Sequence, residues 1–352
     1  MIQYYGYAYP PHGLITILED IKFKQEINFY LIDPLTKLEE LPYAEIATQD
    51  KSNLFVVVQT GEGHSHKEFD SLVNELTSVG VIAKHIVIYT GCLYDPTSLV
   101  HSIGTIVPHT GVTWSMINPT VDMLKVMPTH HYVALNRLPR WERWRVVETL
   151  LDRNLDKFGR ISYGIASENL AEEKIQTFIT DKYRHLFPMT IDQDVVSFDQ
   201  GYSITSPGIA GAMFNIVTES AYDNHPSVKK SFNQQWPTLS EKTYKAFILG
   251  QIPLLVAPMR TIQVLREFGF DVFDDVVDHS YDLEEDPELR IQQVIDQVER
   301  ICQLSVDDLV ALKQTLADRL LNNYNCLQSW AYNYSADVPR WIKYFKEQGV
   351  VD

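Results

Sequence analysis

Cysteine is scarce in this chain of 352 residues: Cys92, Cys302 and Cys326 stand apart and form no CxxC pair, so a zinc site or disulfide framework has no support. Long apolar runs are missing as well. No stretch approaches the roughly 18 residues a membrane-spanning helix needs, and the opening MIQYYGYAYPPHG has no basic segment leading into an apolar one. A cytoplasmic protein with no membrane span is the expectation. Positive charge is also in deficit. Thirty Lys and Arg against 46 Asp and Glu leave a net charge of −16, which repels polyanions at long range and weakens any case for indiscriminate nucleic-acid binding.

The chain is rich in material for packed cores, with 45% hydrophobic against 22% charged residues, and its length exceeds one average domain. Two domains with a cleft are therefore expected. Charge is uneven: Arg137 to Arg160 carries seven basic and four acidic residues, whereas Asp274 to Glu288 carries eight acidic and no Lys or Arg. A local anion site inside an acidic protein remains open, and the carboxylates of 274–286 read as a solvated face.

Apolar runs of strand length alternate with helical spacing. Ile27–Ile32 is stopped by Asp33-Pro34, Leu54–Val58 leads into Gln59-Thr-Gly-Glu-Gly-His-Ser-His66, a helix is expected over 67–78, and His85–Tyr89 supplies the next strand. The tyrosines at 4, 5, 7 and 9 read as packing under a sheet, with stacking on a sugar or base as the other use. Residues 90–128, punctuated by glycine and proline, read as irregular chain, with a domain boundary near Met127; His109 and Trp114 there read as structural. The strand 131–136, a helix over 140–154, a short strand at 161–164 and a polar helix at 168–184 open the second half. Helices are expected from Pro287 to Cys302, again after Ser305, and in the aromatic tail from Trp330 to Phe345. This alternation is the grammar of an α/β fold.

The chain is organised around Ser240–Ile248, SEKTYKAFI. Ser240 is placed to cap a helix whose Tyr244, Phe247 and Ile248 face a core, Gly250 ends it, and a buried strand follows at 252–258. A helix opening at the carboxyl edge of a sheet offers N–H donors and a partial positive charge to a phosphate. Upstream, the strand Phe214–Ser220 ends in a carboxylate and a hydroxyl, where doubly wound sheets keep their ligands. The plainer reading of Glu241 and Lys242 is a solvated pair on a surface helix.

The segments FNIVTES (214–220), LSEKTYKAFILGQIPLLVAP (239–258) and IQVLREFGFDVFDDVVDHSYD (262–282) resemble the donor-binding half of GT-B glycosyltransferases, nearest to the fucosyltransferase-like and phage-encoded group. The strand 131–137 resembles the entry to that half; the likeness spans roughly residues 130 to 285, and the first 125 residues match nothing. The resemblance implies two Rossmann-like domains facing a cleft: residues 1–127 on the acceptor side, 128–330 binding the nucleotide sugar, and 331–352 a last helix returning to the first domain. It implies donor contacts from Arg137, Glu241 and Lys242, with Asp278 and Tyr281 as neighbours; the helix end at Ser240 is then expected to help hold the diphosphate, and Glu219 and Glu241 to bind ribose or sugar hydroxyls.

The loop before 67 carries Glu62, His64 and His66; a carboxylate or imidazole there suits the general base that direct displacement requires, and a simple surface loop is the alternative. Metal binding by the two histidines lacks a third ligand. Asp192-Gln-Asp194 has the Asp-x-Asp spacing of some metal-dependent transferases, yet so short a pattern recurs by chance in an acidic chain. No cofactor is required beyond the nucleotide-sugar co-substrate, and a divalent metal is not expected. The reading is an inverting glycosyltransferase whose acceptor is a glycan or a hydroxymethylated base of phage DNA, acting in the host cytoplasm if phage-encoded. Against it stand a non-catalytic nucleotide-sugar binding module and a structural interaction protein.

Overall fold

The computed structural model describes residues 2–5, 12–32, 43–60, 66–90, 101–104, 121–136, 139–163, 178–189, 191, 207–219, 222, 239–332 and 338–352. Glu62, His64, Cys92, His109, Trp114, Arg137, Asp192 and Asp194 lie outside the described residues. The chain is α/β and divides into two compact units, 1–111 with 328–352, and 112–327. No helix among the described residues is long and apolar enough to cross a membrane.

The first unit holds a parallel sheet in chain order, β1 (Ile2–Tyr5), β2 (Asn28–Ile32), β3 (Leu54–Thr60), β4 (Ile86–Thr90) and β5 (His101–Gly104). Side chains alternate across a strand, so a run that is apolar at every position covers both faces. Phe29, Leu31, Phe55, Val57, Val87 and Tyr89 face one side, where α1 (His12–Asp20) brings Leu14, Ile17 and Leu18. Tyr30, Val56, Val58 and Ile88 face the other, against Ile46 of α2 (Tyr43–Thr48) and Leu72, Val73 and Leu76 of α3 (His66–Ser78). β5 falls in the stretch expected to be irregular: its four residues, HSIG, hold their place by pairing with β4 rather than by an apolar run of their own.

The second unit holds β6 (His130–Asn136), β7 (Gly159–Tyr163), β8 (Ala212–Thr218) and β9 (Ile252–Val256), all parallel, in the order β7-β6-β8-β9. The chain leaves β6 for β7 on one side and returns to β8 on the other, so the strand order reverses at β6. After β6 comes α4 (Trp141–Asp152); α5 (Pro207–Ala210) precedes β8, and α6 (Glu241–Ile248) joins β8 to β9. Residues 178–184, expected as the end of a polar helix, form bends and turns that lead into a short 3-10 segment, Arg184–Leu186.

Gly250, with φ at +60°, ends α6 in the left-handed region that glycine enters without steric cost. Gly159 serves a different purpose: a Cβ there would stand 2.5 Å from the Tyr132 ring, which lies across it and donates its hydroxyl to the Leu155 carbonyl at 3.0 Å.

Beyond β9 run α7 (Thr261–Glu267), α8 (Pro287–Ile301), α9 (Val306–Thr315), α10 (Ala317–Tyr332) and α11 (Val338–Glu347). Ser305 caps α9 through a reciprocal capping box with Asp308, and Asp286 caps α8 at the amides of Glu288 and Leu289. The tail helix α11 belongs to the first unit: Trp341, Tyr344 and Phe345, at helical spacing, pack on Phe29, Phe55 and Tyr89, and the Tyr344 hydroxyl donates to Lys84 O at 2.7 Å.

Candidate functional site

The carboxyl ends of β6, β7 and β8 carry Asn136, Tyr163 and Thr218, and Glu219 follows β8. In doubly wound sheets the crevice opens where strand order reverses, because the loops leaving the two neighbouring strands part in opposite directions. Here those neighbours are β6 and β8.

At the end of β8, Glu219 is fully buried, and its carboxylate lies against the amino end of α6. Oε1 accepts from the Ser240 amide at 3.0 Å and from the Thr243 hydroxyl at 2.5 Å, and Oε2 accepts the Ser240 hydroxyl. Ser240 is the expected N-cap: its Oγ accepts the Lys242 amide at 3.3 Å and the Lys242 ammonium at 2.9 Å. The ammonium is 3.7 Å from Glu219 Oε2, and the Lys242 side chain keeps 21% of its surface exposed. A buried carboxylate is tolerated only when donors surround it; here an amide, two hydroxyls and an ammonium do so.

The sequence led to this helix end, and the structure adds a carboxylate from within the chain to it. The partial positive charge at the amino end of α6 is met from within by Glu219, whose two oxygens are engaged by protein donors rather than turned outward toward ribose or sugar. The same device recurs on α7, where Asp282, buried, accepts the amides of Ile262 at 3.0 Å and Gln263 at 3.3 Å.

On the sheet beside this clasp runs a row of side chains fixed by register. Asn136 and Tyr163 are partners across β6 and β7, and Thr218 of β8 donates to Asn136 Oδ1 at 2.5 Å. All three are buried, as is Glu142 in the first turn of α4. Among the described residues, Asn136 Nδ2, the Tyr163 hydroxyl and Glu142 Oε1 have no hydrogen-bond partner. Turning the amide over does not help Asn136, since one of its polar ends stays unpaired either way. Burial pushes the Glu142 carboxyl above the ordinary carboxylate range, opposed by Arg143, Arg140 and Lys242. It pushes the Tyr163 phenol up as well, with Glu142 adding to the shift. The Tyr163 ring is held edge-on by Trp144 and Phe187, at 5.6 and 5.4 Å between centroids.

Of the residues the sequence singled out, Glu219, Ser240 and Lys242 come together. Glu241 opens α6, its side chain outside the described residues, as are Arg137, Glu62 and His64. Arg143 is buried because α4 packs against the sheet through its first turns. Asp278 is exposed and accepts the Ser280 amide at 2.9 Å, and Tyr281 is core, its hydroxyl 2.9 Å from His279 Nδ1. Asn136, Glu142, Tyr163 and Thr218 went unassigned. The available signal was a polar residue closing each apolar strand: HHYVALN, GRISY and AMFNIVT end in Asn, Tyr and Thr. Among the described residues no group of three or more His, Cys, Asp or Glu is placed to hold a metal ion.

No family model, curated protein or solved structure matches the chain.

Proposed function

We propose that the second unit binds a nucleotide-sugar donor at the carboxyl edge of its sheet, and that the protein is a GT-B-type glycosyltransferase passing the sugar, with inversion, to a hydroxyl acceptor. The observation that carries this reading is the Lys242 ammonium, tied to Ser240 Oγ beside the point of strand reversal and still partly exposed. An ammonium held there is preorganised for the charge that develops on a departing diphosphate. The resemblance of 214–220, 239–258 and 262–282 to GT-B donor halves supports it independently. Lys242 and Arg137 then face the diphosphate, without a metal, and Glu219 acts by holding Lys242 rather than by touching the sugar. On this reading Glu62 or His64 supplies the base.

The test is a thermal-shift titration of the whole chain with UDP- and GDP-sugars, followed by nucleotide-diphosphate release in the presence of acceptors. A binding donor at a hundred times its Kd stabilises by about 2.7 kcal/mol, and Lys242→Ala is expected to lower turnover by about two to three powers of ten. No shift with any nucleotide would overturn the reading. A gel-shift titration against salt separates the acceptors: tight, steeply salt-dependent binding of duplex DNA favours a modified base over a glycan.

Glu219 itself favours a second reading. With the helix end already neutralised from within, the clasp serves as a structural tie between β8 and α6 in a non-catalytic binding or interaction protein. Donor binding without nucleotide release supports the binding form, and no nucleotide binding supports the interaction form.

A further inference from the structure

Buried polar atoms without partners are few in native proteins, and each weighs against stability, because its hydrogen bonds to water are lost and not replaced. Among the described residues, the second unit holds three of them that register and charge relate to one another: Asn136 Nδ2, the Tyr163 hydroxyl and Glu142 Oε1. Asn136 and Tyr163 are register partners at the last position of β6 and β7, and the charge of Glu142 acts on Tyr163. Thr218 anchors the other end of the Asn136 amide, which fixes the unpaired end in place. The row stands at the carboxyl edge, on the strand where the order reverses.

We infer that Asn136, Tyr163 and Glu142 form a subsite for hydroxyl groups of a bound sugar or ribose, an assignment that rests on the nucleotide-sugar reading above. An amide, a phenol and a carboxyl offer both donors and acceptors, which suits the hydroxyls of a polyol, and the Arg143 guanidinium also acts on Tyr163 and Glu142. The division of labour is then spatial: Lys242 faces anionic oxygens, and the row faces neutral hydroxyls. The three atoms are covered in the ligand-free chain, so occupancy requires a local opening of the carboxyl edge, and pairing them offsets part of its cost.

Two conservative variants of the full chain, Tyr163→Phe and Glu142→Gln, test the subsite by titration with UDP, GDP and the corresponding nucleotide sugars, alongside the melting temperature without ligand. Deleting the Tyr163 hydroxyl removes an unpaired buried group, so the ligand-free protein is expected to melt at the same temperature or higher, while affinity falls roughly three- to tenfold for one lost neutral hydrogen bond. Weakened binding of nucleotide sugars alone assigns the row to the transferred sugar, and weakening that extends to UDP or GDP assigns it to ribose. If the wild type binds nucleotide sugars and both variants bind them equally well, the subsite is overturned and the nucleotide-sugar reading stands. If the wild type binds no nucleotide, both fall.

Discussion

The two parallel sheets contrast in order and in what their strands carry. In the first unit the five strands run in chain order and the described central strands are apolar on both faces, packed between α1 and α11 on one side and α2 and α3 on the other. In the second the order reverses at β6, and the row Thr218, Asn136, Tyr163 puts polar atoms where apolar ones would cost less. Strand order decides where a crevice opens, and residues at strand ends decide whether it does chemistry. The described central strands of the first sheet are apolar, and the second sheet carries buried polar atoms at its strand ends.

The largest expected effect breaks the packing of the first sheet. Trp341→Ala empties a position packed against Tyr89, Tyr344 and Phe345 and should cost about 3–5 kcal/mol in denaturant unfolding. A loss near zero would mean that α11 adds little to the first sheet.

Next comes Lys313, buried on α9 with an ammonium that has no partner among the described residues, its pKa lowered by burial from 10.5 to about 8. Because the folded value lies below the unfolded one, the native chain gives up the proton first. Stability is therefore lowest below pH 8 and rises as pH climbs from about 8 to about 10.5. Lys313→Met should stabilise the protein at neutral pH by up to about 3 kcal/mol and abolish that rise, read from denaturant midpoints at pH 7 and pH 10. An unchanged pH profile would show that another group is responsible.

Gly159→Ala follows. Its Cβ meets the Tyr132 ring at 2.5 Å, and the tyrosine must shift or lose its bond to Leu155, at about 1–3 kcal/mol. Restoring stability with Tyr132→Phe in the same chain would trace the cost to the hydroxyl; no restoration would trace it to the ring. Tyr163→Phe is the smallest in stability, and it sharpens the contrast most: a site residue should cost nothing to the fold and something to binding.

Much of the fold was legible in the residues themselves. The runs at 28–32, 54–60, 86–90, 212–218 and 252–256 are strands because they are apolar at consecutive positions, and Ser240 and Ser305 cap their helices as their places before apolar-periodic runs predict. β5 was hidden because HSIG carries no strand signal without its neighbour. The candidate site was legible only in its individual residues. Glu219, Ser240 and Lys242 stood out by position, but that Glu219 would close the helix end it was expected to leave open depends on a contact across 21 residues.

The sequence by itself determined the alternation of strands and helices and the ends of several of them, since these follow from local spacing, capping and backbone freedom. Only the tertiary structure decided the reversal at β6, the row from Thr218 to Tyr163, and which anion sits at α6, because strand register and buried pairing are set between segments distant in the chain.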